Sequence, residues 1–224
     1  VDKRALEAAI RLKEKAGGEV FALSLGDNKT QTALPEALAM GADEIYIIND
    51  PELQDLDSNA TSITLKRGIE AIGDFDLILT GEMSLDNMNS QIGTRIAELL
   101  DLAQVTYTKK LEYDDEELRA IRELEYIDEV VKVQLPALIS VIREINEPRI
   151  PGLMQIMKAK KKPQTIWEAK DLDIDPLEIK KQSYVQILNL AAPEIDRKQV
   201  MIEADTVEEA ALKLVNNLRE EGVI

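Results

Sequence analysis

The chain has 224 residues, of which 45% are hydrophobic and 4% aromatic, with a net charge of −16 and neither cysteine nor histidine. That length suits one large domain, or one domain plus an appendage, around a core of Leu, Ile, Val and Ala. The absent residue types exclude disulfides, thiolate nucleophiles, imidazole bases and the usual zinc sites, and the acidity argues against general nucleic-acid binding.

Asp2 to Ala16 reads as an amphipathic helix, with Ala5, Ala9, Leu12 and Ala16 on one face and Leu6 and Ile10 beside them. Gly17-Gly18 ends it. Val20 to Leu25 is a short apolar run closed by Gly26, the pattern of a buried strand. Thr30 to Met40 is the next predicted helix, and Glu44 to Ile48 the next strand. A helix over Ser58 to Ile72, a strand over Phe75 to Thr80, a helix over Asn89 to Leu100 and a strand over Gln104 to Thr108 follow. Continuously apolar strands alternating with helices predict a parallel sheet covered on both faces, hence a doubly wound α/β fold. Such folds open with a strand, whereas this sequence opens in a helix, so a preceding strand is expected outside it.

The pattern changes after Thr108. Lys109 to Glu117 is charged and reads as a turn, and two antiparallel strands are expected over Leu118 to Tyr126 and Val130 to Leu135. Pro136 to Ile142 returns to a buried strand. Arg143 to Pro163 holds three prolines and a basic cluster and reads as a loop. From Gln164 to Asp205 periodicity is weak, the pattern of an extended arm that relies on a partner. A last helix covers Thr206 to Glu221, with Thr206 and Glu209 spaced as a capping box. The expected division is a nucleotide-binding domain over 1–163 and a C-terminal arm plus helix over 164–224. No apolar run reaches the roughly 20 residues of a bilayer span, and no signal peptide is visible.

Three segments could carry chemistry. Gly81 to Gly93 leaves a buried strand at its carboxyl end and enters a helix, where open α/β sheets bind ligands. Helix-start N–H groups attract phosphate; Ser84, Asn89 and Ser90 add donors, and Asp86 can accept from a ribose or a base edge. The same residues also suit an ordinary βα loop with Asn or Ser caps. Asn146 to Pro163 sets Leu153, Met154, Ile156 and Met157 beside Lys158, Lys160, Lys161 and Lys162 in a proline-framed loop. That composition suits a docking patch or a loop folded on its own core. Asp57 to Thr61 reads as helix capping by Asp57 or Ser58.

Together these segments resemble the electron transfer flavoprotein beta (small) subunit family. Asn146-Glu147-Pro148-Arg149, then Leu153 and Ile156 to Lys162, is similar to that family's recognition loop. Gly81, Asp86, Gln91 and Gly93 fall where the family has a Gly, a central Asp and Gln-x-Gly, and Ala37 to Asp43 and Ala5 to Glu14 match further stretches. The resemblance runs in order over essentially the whole chain. It implies an adenine-nucleotide α-hydrolase-like sheet, a strand and an Asn-Pro pair ahead of Asp2, and a heterodimer with an alpha subunit that holds most of an FAD. It implies that the beta subunit binds AMP, or a second FAD in electron-bifurcating members. The implied nucleotide contacts are Asp2, Leu25, Gly81, Ser84, Asp86, Asn89, Ser90, Gln91 and Ile92. The implied partner contacts are Leu153 as anchor with Met154, Ile156, Met157, Lys158, Lys160 and Lys161. Ile92 stands where ordinary members often carry Thr, which leaves AMP against a second FAD open.

The resemblance implies an electron carrier in the cytoplasm, or in the mitochondrial matrix if eukaryotic. It would pass electrons from dehydrogenases, such as acyl-CoA dehydrogenases, to a quinone oxidoreductase, doing no bond-making chemistry of its own. The rivals are half of a bifurcating enzyme that oxidises NADH, and a stand-alone adenine-nucleotide-binding module.

Overall fold

A computed structural model describes residues 1–84, 88–114, 117–192 and 197–224. It divides into two compact units, Val1–Gln186 and Ile187–Ile224.

The first unit opens with α1 (Asp2–Ala16), β1 (Phe21–Leu25), α2 (Asn28–Ala33), α3 (Pro35–Met40) and β2 (Glu44–Ile48). The helix expected over Thr30 to Met40 is broken in two. Pro35 lacks the N–H that would continue the first helix, and it sits in the first turn of the second. Then come α4 (Ser58–Ile72), β3 (Leu77–Gly81) and α5 (Ile92–Leu99). Next are β4 (Ala103–Asp114), β5 (Glu117–Glu123), β6 (Asp128–Val133) and β7 (Ala137–Val141). The unit ends with α6 (Leu153–Ala159), β8 (Gln164–Trp167) and α7 (Pro176–Lys181).

The strands form two sheets. One has the order β1-β2-β8 and is parallel throughout; the other runs β3-β7-β4-β5-β6. In the second, β3, β7 and β4 are parallel, and β4-β5-β6 form an antiparallel extension. The fold is therefore α/β with mixed sheets, and the strands do not make the single sheet expected. β1 and β3 are edge strands, and both line one large cavity.

Three expectations need correction. Lys109 to Asp114 is not a turn, because β4 runs through it. Leu111 and Tyr113 pack on the cluster around Val105 and Leu118 while Lys110 points to solvent, a two-residue alternation hidden by the charges. The 143–163 loop contains a helix, α6. Residues 164–186, expected in the arm, belong to the first unit. β8 pairs with β2, and Ala169, Leu172, Ile174 and Ile179 are buried with Ile48, Leu53 and Ala60. Trp167 stacks on Tyr46, with ring centroids 4.9 Å apart.

The second unit holds α8 (Val207–Glu220), none of whose residues is buried. Thr206 Oγ1 accepts from the Glu209 N–H at 3.2 Å, as the capping box requires. The reciprocal bond differs: Glu209 accepts from the Asp205 N–H, not from Thr206. No helix among the described residues is long and apolar enough to cross a membrane.

Candidate functional site

β1 and β3 line a cavity of about 1120 Å³ along their whole lengths, and one end of it lies at their carboxyl ends. Parallel strands bring their carboxyl ends to one side, and the helices that follow begin there with free N–H groups. Asp2, Leu25, Gly81, Ser84, Asn89, Ser90, Gln91 and Ile92 all line it. The one predicted nucleotide residue not among them, Asp86, lies outside the described residues.

Two glycines let the backbone close around this mouth. A Cβ on Gly81 would lie 2.6 Å from an Asp2 carboxylate oxygen and 3.0 Å from Val1 Cβ, so only glycine lets the start of α1 meet the end of β3. The Gly81 N–H donates to that carboxylate at 3.1 Å. A Cβ on Gly93 would lie 2.7 Å from Thr80 Oγ1, so glycine also seats the first turn of α5. Thr80 Oγ1 is itself buried and without a hydrogen-bond partner among the described residues.

The helices differ in how they are capped. Asp27, Asp57, Asp175 and Thr206 accept from the first-turn N–H groups of α2, α4, α7 and α8. Gln91, which precedes α5, makes no such bond, and neither do Leu34 before α3 and Gly152 before α6. The first turn of α5, which starts at the cavity, therefore has no side-chain cap on its N–H groups at the positive end of its dipole. An anion is the complement of that arrangement.

The side chains around α5 are fixed by one another. Gln91 Oε1 accepts from Ser58 Oγ at 2.8 Å and from Arg95 Nη2 at 3.0 Å, while Arg95 Nη1 reaches Asn59 Oδ1 at 2.9 Å. Asn89 Oδ1 accepts from the Gln91 N–H at 3.4 Å. Met88 and Ser90 have φ of 47° and 53°, a conformation that costs a non-glycine residue about 1–3 kcal/mol. Burial and the Glu144 charge push the Glu82 carboxyl above its ordinary range.

A second, smaller cleft of about 320 Å³ lies past Leu25, between Asp27, Asp50 and Asp55. Asp27 and Asp50 are already occupied in capping, and three carboxylates repel a phosphate. No group of three or more acids that could hold a metal occurs among the described residues.

The residues expected to meet a partner lie elsewhere, on and just after α6. Leu153, Met154, Ile156 and Met157 are 75%, 72%, 43% and 62% exposed. Lys158, Lys160 and Lys161 are exposed beside them. Lys162 differs, because its ammonium donates to the carbonyls of Leu38, at 3.2 Å, and Ala42 at the end of α3.

Residues 1–172 match the electron transfer flavoprotein domain. A Thermoanaerobacterium thermosaccharolyticum protein named electron transfer flavoprotein subunit beta is 38% identical over 225 residues, covering 100% of this chain and 86% of that one. The chain belongs to the electron transfer flavoprotein beta-subunit family. Two more members widen the comparison. The CarD subunit of a caffeyl-CoA reductase-Etf complex from Acetobacterium woodii is 36% identical, over 100% of this chain and 86% of its own. Protein FixA of Sinorhizobium fredii is 32% identical, over 97% and 79%. Electron transfer is the function of the family, flavin is part of its chemistry, and a beta subunit implies an alpha-subunit partner.

Within this flavoprotein subunit, sequence reasoning missed two groups. Thr80 gave no signal, since a threonine ending a strand is ordinary. Glu7 did leave one: it is an acid between the buried Ala5 and Ala8 of α1, where burial demands a cation.

Proposed function

We propose that the chain is the half of a flavoprotein heterodimer that binds an adenine nucleotide in the larger cavity and presents α6 to electron donors. The observation that supports the nucleotide site is the junction of β3, α1 and the uncapped start of α5, where the Gly81 N–H donates to Asp2 and Gly93 packs on Thr80. The donors fit a phosphate: first-turn N–H groups of α5, the Thr80 hydroxyl, and the Ser84 and Ser90 side chains around glycines 81 and 93. Asp2, Leu25, Asn89, Gln91 and Ile92 complete the set, with Asp86 as the expected ribose or base acceptor. When bound, FAD supplies the redox chemistry; this chain orients the nucleotide and shields it from water. AMP is the favoured ligand.

On this reading the two sheets are halves of one doubly wound, adenine-nucleotide α-hydrolase-like sheet that meet across the cavity. The free edges of β1 and β3 on its two sides support that. The alpha subunit would cover the C-terminal part of residues 164–224. Tyr184, Val185, Ile187, Leu188 and Leu190 are each at least 65% exposed, a large apolar run for a free surface. The partner for α6 is a dehydrogenase with an apolar pocket for Leu153 and an acidic rim for Lys158, Lys160 and Lys161, and a quinone oxidoreductase is the onward acceptor. Four adaptable apolar side chains ringed by cations suit that chemistry.

The testing experiment is nucleotide content. The heterodimer is co-expressed with its alpha subunit, its ligands are released by acid, and flavin and adenine species are separated and counted. One FAD with one AMP supports the proposal. Two FAD and no AMP would support the second reading, a bifurcating enzyme half, which the 36% identity to a subunit of the caffeyl-CoA reductase-Etf complex favours. No nucleotide and no association with the alpha subunit would overturn both.

A further inference from the structure

The segment that leads into α6 is tied to α1 by charge. Glu7 is 2% exposed. Its carboxylate accepts from Arg149 three times: from Nε at 2.8 Å, from Nη2 at 3.2 Å and from the backbone N–H at 3.2 Å. It also accepts from Arg11 Nε at 2.6 Å. The other side of the Arg149 fork meets Glu14, at 2.6 and 3.1 Å. Asn146 Nδ2 adds a bond to the Arg4 carbonyl at 2.9 Å. A guanidinium held between two carboxylates is the geometry for which lysine is a poor substitute.

The physical consequence is a fastening. If the loop left α1, Glu7 would lose three of its four hydrogen bonds and keep only Arg11, and Arg149 would lose both carboxylates. At the far end of α6, Ala159 is buried with Ala37 and Leu38, and Lys162 binds the last carbonyls of α3. Between these two fixed points lie seven helical residues, too few for a stable helix alone.

We propose that Glu7 and Arg149 are positioning residues for docking: their pairing holds α6 ordered, with Leu153, Met154 and Met157 outward, before a partner arrives. This rests on the reading of α6 as the docking surface. An ordered platform binds more tightly than a loop that must be ordered on contact.

The test uses the full heterodimer and a dehydrogenase that reduces it. Arg149→Lys keeps the charge and loses the fork. It should raise the dehydrogenase's KM for the heterodimer about tenfold, which corresponds to ~1.4 kcal/mol. The kcat and nucleotide content should hold, and amide exchange should quicken in 150–160 but not in β2 or β7. Leu153→Ala is the control for docking itself and should raise KM without changing exchange. If Leu153→Ala raises KM and Arg149→Lys changes neither KM nor exchange, the positioning role is refuted while the docking reading stands. If neither variant alters KM, both fall. Should Arg149→Lys fail to fold, Glu14→Gln, on the exposed side of the fork, carries the test. A smaller KM rise with faster exchange in 150–160 supports the role, and no change in either overturns it.

Discussion

Helices α6 and α8 both turn large apolar side chains to solvent, and they rest on different foundations. The shorter, α6, has seven residues, yet it buries Ala159 and is fastened at both ends by Arg149 and Lys162. The longer, α8, has 14 residues and a threonine cap, exposes Val207, Leu212 and Leu214, and buries nothing. Its ion pairs are solvent-exposed, Lys213 to Glu209 at 2.8 Å and Lys198 to Glu221 at 2.6 Å, and such pairs contribute about 0–1 kcal/mol each. Length and capping decide whether a helix forms; what it is fastened to decides whether its apolar face is held in place.

Proteolysis of the isolated beta subunit should show the largest effect. Opening costs run from near zero in unpacked segments to the whole stability of a core. Cleavage should therefore begin within 187–205, with 164–182 resisting because Leu172, Ile174 and Ile179 are buried. Adding the alpha subunit should protect 187–205. Early cuts within 164–182, or equal cleavage with and without the alpha subunit, would break the comparison.

Substitution sharpens it next. Ile179→Ala should cost the first unit about 2–5 kcal/mol, read from the urea midpoint. Leu212→Ala in α8 should stay within about 0.5 kcal/mol in the isolated subunit. Similar losses from both would mean that α8 is packed as firmly as α7.

Acid is the mildest probe. Glu7, Asp43 and Asp57 all lie in the first unit. Burial raises each carboxyl, but hydrogen bonds outweigh it. They come from Arg149 and Arg11 to Glu7, from Lys13 and the Val20 N–H to Asp43, and from the Ala60, Tyr184 and Val185 N–H groups to Asp57. All three therefore sit below their ordinary values. The unfolded chain then binds protons at higher pH than the folded one. Their contribution is full above about pH 4–4.5 and is lost as pH falls through the folded values. Between pH 6 and 3 the urea midpoint of the first unit should fall; a flat midpoint would show that these bonds hold no stability.

How much of this was legible follows the physics of each signal. β1, β2, β3 and β7 were readable because continuous apolar runs bounded by glycine or proline mean buried parallel strands. β4 past Thr108 was not, because Leu111 and Tyr113 alternate with charges. Residues 164–182 were not, because Trp167, Leu172, Ile174 and Ile179 join one cluster with Ile48, Leu53 and Ala60 at spacings that follow neither the helical nor the strand period. Within the site, Gly81, Gln91 and Gly93 announced a strand-to-helix turn. Asp2 and Leu25 entered only through the family resemblance, since neither side chain has a ligand signature of its own. The Glu7–Arg149 pair spans 142 positions, and no local pattern reports a partner that distant.

The stack of Trp167 on Tyr46 has a practical consequence. Trp167 is the single tryptophan, and every Tyr and Phe of the chain also lies within residues 1–186. Near-ultraviolet absorption, fluorescence and circular dichroism therefore see the first compact unit alone, while far-ultraviolet dichroism sees the helices of both. Two optical traces from one unlabelled sample separate the melting of α8 from the melting of everything before it.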